Sequence, residues 1–117
     1  MECKDVIEIN GEKYVRKAAT EKADDNYCII RTYSAGVFAG NLSERNGKEG
    51  TVLNARRIWR WEGAASLSQL AMEGTKAPVD CKFPCAVKEV ILTEIIEILP
   101  CTKAAEKSIK EVPVWEL

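Results

Sequence analysis

Two short turns that contain glycine most constrain what this chain can fold into. The run Tyr27–Tyr33 is rich in β-branched and aromatic residues and ends at Ser34–Gly36. Val37–Leu42 has the same character, and Asn46–Gly47 separates it from Thr51–Leu53. Asn-Gly supplies the two residues with positive φ that a tight hairpin requires, and β-branched residues favour strands. The pattern predicts three antiparallel strands joined in sequence order, the third of which can continue to Trp61.

The segment Val87–Leu99 fits two periodicities. Its apolar residues partly match a helical stripe, but Leu92 and Ile96 interrupt that stripe. Seven of its thirteen residues are β-branched, which disfavours a helix. One long or broken strand is therefore the preferred interpretation, with a helix as the alternative.

Two helices complete the predicted domain. Ser66 and Gln69 have the spacing of a capping box and predict a helix over Leu67–Glu73. Thr102 can cap a second helix that continues through Lys110. The fold class that follows is α+β, a small and mainly antiparallel β-sheet with two short helices.

The first 26 residues are predicted to be an appendage. Asp5–Val15 indicates a hairpin around Asn10–Gly11, and Arg16–Asn26 indicates a linker or a marginal helix. Residues 27–117 then form a single ligand-binding domain. The start Met1–Asp5 is unlike a signal peptide, and no apolar run reaches the roughly 20 residues of a membrane span, so an intracellular protein is expected.

The composition argues against several classes of function. The formal net charge is -1 and the sequence contains no histidine. A chain without a basic field is a poor coat for long nucleic acid, and one without histidine lacks the commonest general acid or base. The five cysteines are expected to be reduced thiols, because the C-x3-C pair Cys81 and Cys85 has no second close pair to complete a zinc site. No metal is predicted.

Arginine and tryptophan are concentrated in the segment Asn54–Trp61. Guanidinium groups donate forked hydrogen bonds to phosphates, and an indole face can stack on a base, so the segment suits a phosphorylated nucleotide. The competing interpretation is that the tryptophans are core residues and the arginines pair with Glu62 or Glu44. Strand alternation divides the segment into two sets, Arg57, Trp59 and Trp61 on one face and Arg56, Ile58 and Arg60 on the other.

Other features carry less chemistry. Arg31 and Tyr33 share one strand face, and Phe83 stands in a loop where it can stack on a base or anchor the loop. The glycines form neither dinucleotide-binding nor P-loop patterns. The carboxylates of the Val87–Leu99 segment are too widely spaced on a strand to act as a pair, so no catalytic residue is predicted.

Five segments, taken in order, resemble a family of small phage proteins, the anti-Thoeris sponges that sequester cyclic ADP-ribose isomers. The resemblance covers about residues 27–115. The segments are RTYSAGVFAG (31–40), NARRIWRW (54–61), GAASLSQLA (63–71), CKFPC (81–85) and LTEIIEILP (92–100).

The resemblance implies a protein that is not an enzyme. It would bind, in the host cytoplasm, the cyclic nucleotide made by a bacterial TIR-domain enzyme, without a cofactor and away from membranes. Members assemble as homodimers or higher oligomers with pockets at subunit interfaces, and some resemble sponges for cyclic oligonucleotides at separate sites. Candidate ligand-binding residues, chosen by their chemistry, are Arg31, Tyr33, Asn54, Arg56, Arg57, Trp59, Arg60 and Phe83. The alternatives are a protein-interaction module that uses the Arg/Trp face and, third, a cyclic-nucleotide hydrolase.

Overall fold

The computed structural model describes residues 23–116, which form a five-stranded antiparallel sheet and two α-helices. Short 3-10 turns lie at residues 24–26 and 78–80. In chain order the elements are β1 (Tyr27–Thr32), β2 (Val37–Asn46), β3 (Glu49–Arg57), α1 (Leu67–Glu73), β4 (Val87–Leu92), β5 (Ile95–Pro100) and α2 (Lys103–Glu111).

The sheet is curled rather than flat. Its strand order is β4-β3-β2-β1-β5, so the two edge strands are consecutive in the chain and only two residues separate Leu92 from Ile95. A flat sheet would hold its edges about 19 Å apart, whereas three Cα steps span at most about 11 Å. The backbone N–H of Ile95 donates to the carbonyl of Lys48 (2.9 Å), which joins β5 to the β2–β3 turn. Gly50 permits this closure, since a Cβ there would lie 2.7 Å from Ile95 Cδ1.

Apolar side chains fill both faces of the curled sheet. On the inner face, Ile30, Phe38 and Val52 belong to a cluster closed at the corner by Leu92 and Ile95. On the opposite face, called the helix face, strand residues pack against the two helices. That cluster includes Tyr27, Ile29, Ala39, Leu70, Ala105 and Ile109. Because β1 is buried on both faces, its sequence is an almost continuous apolar run.

Both predicted helices are confirmed, together with their caps. The hydroxyl of Ser66 accepts from the N–H of Gln69 (3.1 Å), and that of Thr102 accepts from the N–H of Ala105 (3.1 Å). The Gln69 side chain accepts from Ala65 N–H rather than closing back on Ser66. These bonds satisfy amides that have no partner within the first turn of a helix.

The predicted meander is confirmed as β1, β2 and β3. The segment predicted as one long or broken strand is the broken form, β4 and β5, and the helical alternative is wrong. The extension of the third strand to Trp61 is also wrong, because β3 ends at Arg57. The antiparallel neighbour β2 begins at Val37, which lies opposite this end of β3, and the Val37 carbonyl accepts from Ile58 N–H (2.8 Å). Residues after Ile58 therefore have no residue of β2 with which to pair.

A β-bulge determines which face of the sheet each side chain near the end of β3 occupies. The β2–β3 register shifts between Ala39 and Asn41, and Asn54 has a φ of 53°. An extra residue in one strand reverses the alternation beyond it. Ala55 therefore joins the inner cluster, and Arg56 is directed to the helix face instead.

The packed domain begins earlier than predicted. Ala23 is buried in the cluster on the helix face, and its N–H donates to the carbonyl of Cys101 (2.9 Å). Residues 23–26 therefore belong to the domain rather than to a linker. The predicted hairpin Asp5–Val15 lies outside the described residues. No helix within residues 23–116 is long and apolar enough to cross a membrane.

Candidate functional site

Arg56 is a structural residue, which corrects its prediction as a ligand contact. Its side chain is buried and donates four hydrogen bonds of 2.7–3.1 Å to backbone carbonyls. Burial lowers the pKa of Arg56 from its ordinary value, and the nearby Tyr27 opposes that change. The four acceptors belong to the segment before β4 and to the end of α2: Phe83, Pro84, Ile109 and Val112. The guanidinium thus fastens two distant parts of the chain to β3.

Phe83 is a core residue, so its predicted stacking on a ligand base is corrected as well. Its side chain is 0% exposed. The Arg56 guanidinium carbon lies 5.4 Å from the centre of its ring, within cation–π distance. The loop-anchoring interpretation of this residue is the one that agrees with the structure.

Arg57 is exposed and has no ion pair within residues 23–116. One Nη donates to the carbonyl of Ala35, and the guanidinium carbon lies 4.5 Å from the centre of the Phe38 ring. A guanidinium has five N–H donors, so most of those on Arg57 remain for a ligand. By contrast, Arg31 is paired with Glu97 at 2.9 Å and Arg60 with Glu62 at 3.2 Å.

Three short backbone segments lie side by side next to Arg57. Residues 82–83 occupy the centre: the N–H of Lys82 donates to Arg60 (2.8 Å), and its carbonyl accepts from Trp59 (3.1 Å) and Arg60 (3.3 Å). On the other side, Trp115 N–H donates to the carbonyl of Phe83 (3.0 Å). Since Phe83 is fully buried, the core holds the central segment in place.

This arrangement brings together two tryptophans that are far apart in the chain. The indole centroids of Trp59 and Trp115 lie 6.5 Å apart and their planes differ by 5°. Trp59 is 64% exposed, and Lys82 Nζ lies 5.4 Å from the centre of the Trp115 ring. We call Trp59, Lys82 and Trp115 the tryptophan surface. Lys82 and Trp115 are not among the residues predicted from the sequence to bind a ligand, because neither belongs to the segment rich in arginine and tryptophan.

The other predicted site residues do not join Arg57. The β1–β2–β3 register places Arg57 opposite Phe38 and Phe38 opposite Ile30, on the inner face, so Arg31 projects to the other face. Tyr33 is 77% exposed beyond the end of β1, where its N–H donates to the carbonyl of Glu94 (2.9 Å). The bulge residue Asn54 bonds Asn41 through its side chain (3.3 Å). Of the eight predicted residues, Arg57, Trp59, Arg60 and the buried Phe83 lie in or beside the segments that form the tryptophan surface.

Two recesses are poorly suited to enclose a nucleotide diphosphate within one subunit. One of about 230 Å³ is lined by Tyr27, Asn54, Lys110 and Val114 among others, which is below the usual size of a ligand pocket. The other, of about 500 Å³ beside the β2–β3 turn, is lined by two glutamates, Glu44 and Glu49, and one arginine, Arg45, so its net charge is negative.

The described cysteines form no metal-binding cluster. Cys81, Cys85 and Cys101 are free thiols, and no group of three potential metal ligands occurs in the part of the chain that is described. Burial raises the pKa of Cys101 to about 12, with Cys28 and Glu106 contributing. That thiol therefore stays protonated near neutral pH.

Residues 25–109 match the family model DUF6948, a domain of unknown function. The chain belongs to the DUF6948 family. The match includes the whole sheet, Arg57, Trp59 and Lys82, whereas Trp115 lies beyond it. No curated protein and no solved structure matches this DUF6948 chain.

Proposed function

We propose that this protein is a cytoplasmic, phage-encoded sponge for cyclic ADP-ribose isomers. It binds the messenger of a bacterial TIR-based defence without cleaving it, so that the downstream effector is not activated. The observation that carries the proposal is an exposed arginine, Arg57, without an ion pair among residues 23–116, two positions from Trp59, whose exposed indole lies parallel to the half-buried indole of Trp115. The five segments that resemble the anti-Thoeris sponges support the same ligand.

The chemistry of that surface suits such a ligand. A guanidinium donates to phosphate oxygens in a forked geometry, and Lys82 adds a compact cation. Indole faces stack on bases of any sequence. A sponge must hold its ligand without cleaving it. The sequence contains no histidine, the residue that most often acts as a general acid or base, and this agrees with that requirement.

We also propose that the sponge is a homo-oligomer. The two recesses described above do not suit the ligand, so a pocket shared between subunits would supply the missing enclosure. Large apolar side chains are exposed at several places, among them Leu53, Val87, Ile91 and Ile96. Burial of part of this area would stabilise the assembly.

One observation favours a different function. Exposed tryptophan flanked by arginine is typical of the centre of protein interfaces. If the tryptophan surface contacts a protein instead of a base, the chain is an interaction module. Thermal shift with a cyclic ADP-ribose isomer separates the two, because only the sponge has a melting temperature that rises with the concentration of this ligand.

Native mass spectrometry of the full chain at micromolar concentration tests the sponge directly. We expect an oligomer that gains the mass of intact cyclic ADP-ribose isomer at a fixed number of molecules per subunit. Denaturation should release the ligand uncleaved, as measured by chromatography. A monomer that takes up no ligand contradicts the sponge, and recovery of cleaved ligand indicates the hydrolase.

Replacement of Arg57 by alanine should weaken binding of the cyclic ADP-ribose isomer about tenfold to a hundredfold in calorimetric titration. The substitution removes a charge-assisted contact with phosphate of about 1.5–3 kcal/mol. Arg45→Ala is the matched control, because Arg45 is also exposed and also donates to one backbone carbonyl, that of Gly47 (2.8 Å). Equal affinities for the two variants and the native protein would remove Arg57 from the site.

A further inference from the structure

The two rings of the tryptophan surface are parallel, and that of Trp59 is exposed. Their centroid distance of 6.5 Å is near the upper end of the roughly 4.5–7 Å range for aromatic pairs. A third flat ring inserted between two parallel rings needs planes about 7 Å apart, twice the contact distance of about 3.5 Å. Because Trp59 is 64% exposed, rotation of its side chain about its own torsions can bring the two planes to that separation.

The backbone beneath the rings is held more firmly than the rings. Residues 82–83 bind Trp59 on one side and Trp115 on the other through the hydrogen bonds described above. The Phe83 carbonyl also accepts from the buried Arg56 guanidinium (3.1 Å), which ties this support to β3. The backbone that carries the two indoles is therefore preorganised, so ligand binding costs little backbone conformational entropy.

The charge beside the rings is positive and available. Lys82 Nζ faces the Trp115 ring and has no ion pair among residues 23–116, while Arg60 is neutralised by Glu62. The Lys82 ammonium beside the two indole rings favours a ligand in which a flat ring carries an anionic group a few ångströms away. Nucleotides combine a heteroaromatic base with a phosphate in this way.

We propose that Trp59 and Trp115 close on the two faces of one purine-type base, with Lys82 against the phosphate group of the same nucleotide. This deepens the proposed function and rests on it for the identity of the natural ligand. The clamp assigns a binding role to Trp115 and Lys82, which the segment rich in arginine and tryptophan does not contain. Arg57 then serves a second phosphate.

The first experiment measures binding of the cyclic ADP-ribose isomer to three variants of the full chain. Trp59→Ala and Trp115→Ala are each expected to weaken binding about tenfold or more, since each removes one stacked face. Trp115→Phe keeps an aromatic face and should recover much of the loss. Trp61→Phe is the matched control, because Trp61 is half-buried and its indole N–H is bound to the Ala64 carbonyl (3.2 Å). Circular dichroism melts of every variant establish that it is folded.

The second experiment uses AMP and ribose 5-phosphate, which differ by the base. AMP should quench the tryptophan fluorescence of the native protein and ribose 5-phosphate should not. The quench should be lost in Trp59→Ala and Trp115→Ala, in which Trp61 remains as an internal reference. Lys82→Met should weaken AMP binding and leave the fold intact.

The outcomes separate the clamp from the sponge. Unchanged affinity for the cyclic ADP-ribose isomer in folded Trp59→Ala and Trp115→Ala overturns the clamp and leaves the sponge standing. Quenching by AMP that requires both tryptophans, without binding of the cyclic isomer, supports the clamp and overturns the sponge. If no nucleotide quenches and the variants instead change the mass of the assembly, the surface is a protein contact and the clamp is wrong.

Discussion

Replacing Arg56 with methionine should lower the free energy of unfolding by about 3–5 kcal/mol in urea denaturation. The substitution keeps an apolar stem but leaves four backbone carbonyls without their donor, and an unsatisfied buried polar group costs about 1–3 kcal/mol. Partial relaxation and entry of water keep the total below the sum of the four. Arg56→Lys should recover little, because an ammonium has three donors and no planar fork.

Arg31→Met is the matched control for this prediction. Arg31 is exposed and its ion pair with Glu97 is open to solvent, so the expected loss is at most about 1 kcal/mol. Equal losses at the two positions would show that Arg56 is not the internal tie that the hydrogen bonds indicate.

Phe83→Ala should also lower the free energy of unfolding by about 3–5 kcal/mol. The fully buried ring leaves a cavity among residues of the helix face, and the Arg56 guanidinium loses the ring beneath it. Trp59→Ala, at an exposed aromatic, is the control and should cost about 1 kcal/mol or less. Because Phe83 and Arg56 are in contact, the effects of Phe83→Ala and Arg56→Met should not add in the double variant.

A milder substitution at the same position separates a core role from a ligand role. The variant Phe83→Leu should remain folded and keep its affinity for the cyclic ADP-ribose isomer. A large loss of affinity with unchanged stability would contradict the core assignment and return Phe83 to the binding site.

Elements defined by nearby residues could be predicted from the sequence. The cap of α1 is a bond from Ser66 to a residue three positions away. The β2–β3 turn lies one residue later than the Asn46–Gly47 pair predicted, because Asn46 ends β2 opposite Glu49, and it requires the positive φ of Gly47 (64°). The run Tyr27–Thr32 is strongly β-branched and is buried on both faces as β1. In each case the decisive interaction is encoded within a few residues, so pattern and propensity were enough.

Which side chains of the site are buried depends in part on hydrogen-bond partners that the alternation of residues along a strand does not specify. Alternation correctly separates Arg56 and Ile58, which are buried, from Arg57 and Trp59, which are exposed. It does not show that Arg56 is buried and bound, because its acceptors come from residues near 83 and near 110. Arg60 and Trp61 then depart from the alternation because β3 has already ended.

Sequence by itself therefore determined the α+β class, the three-stranded meander, both helices with their caps, and the concentration of arginine and tryptophan in one segment. Only the tertiary structure decided that β5 pairs with β1, that the sheet curls, and that Trp115 lies beside Trp59. Closure between distant segments depends on the summed burial of many side chains and on available hydrogen-bond partners, and neither is a property of a short stretch of chain.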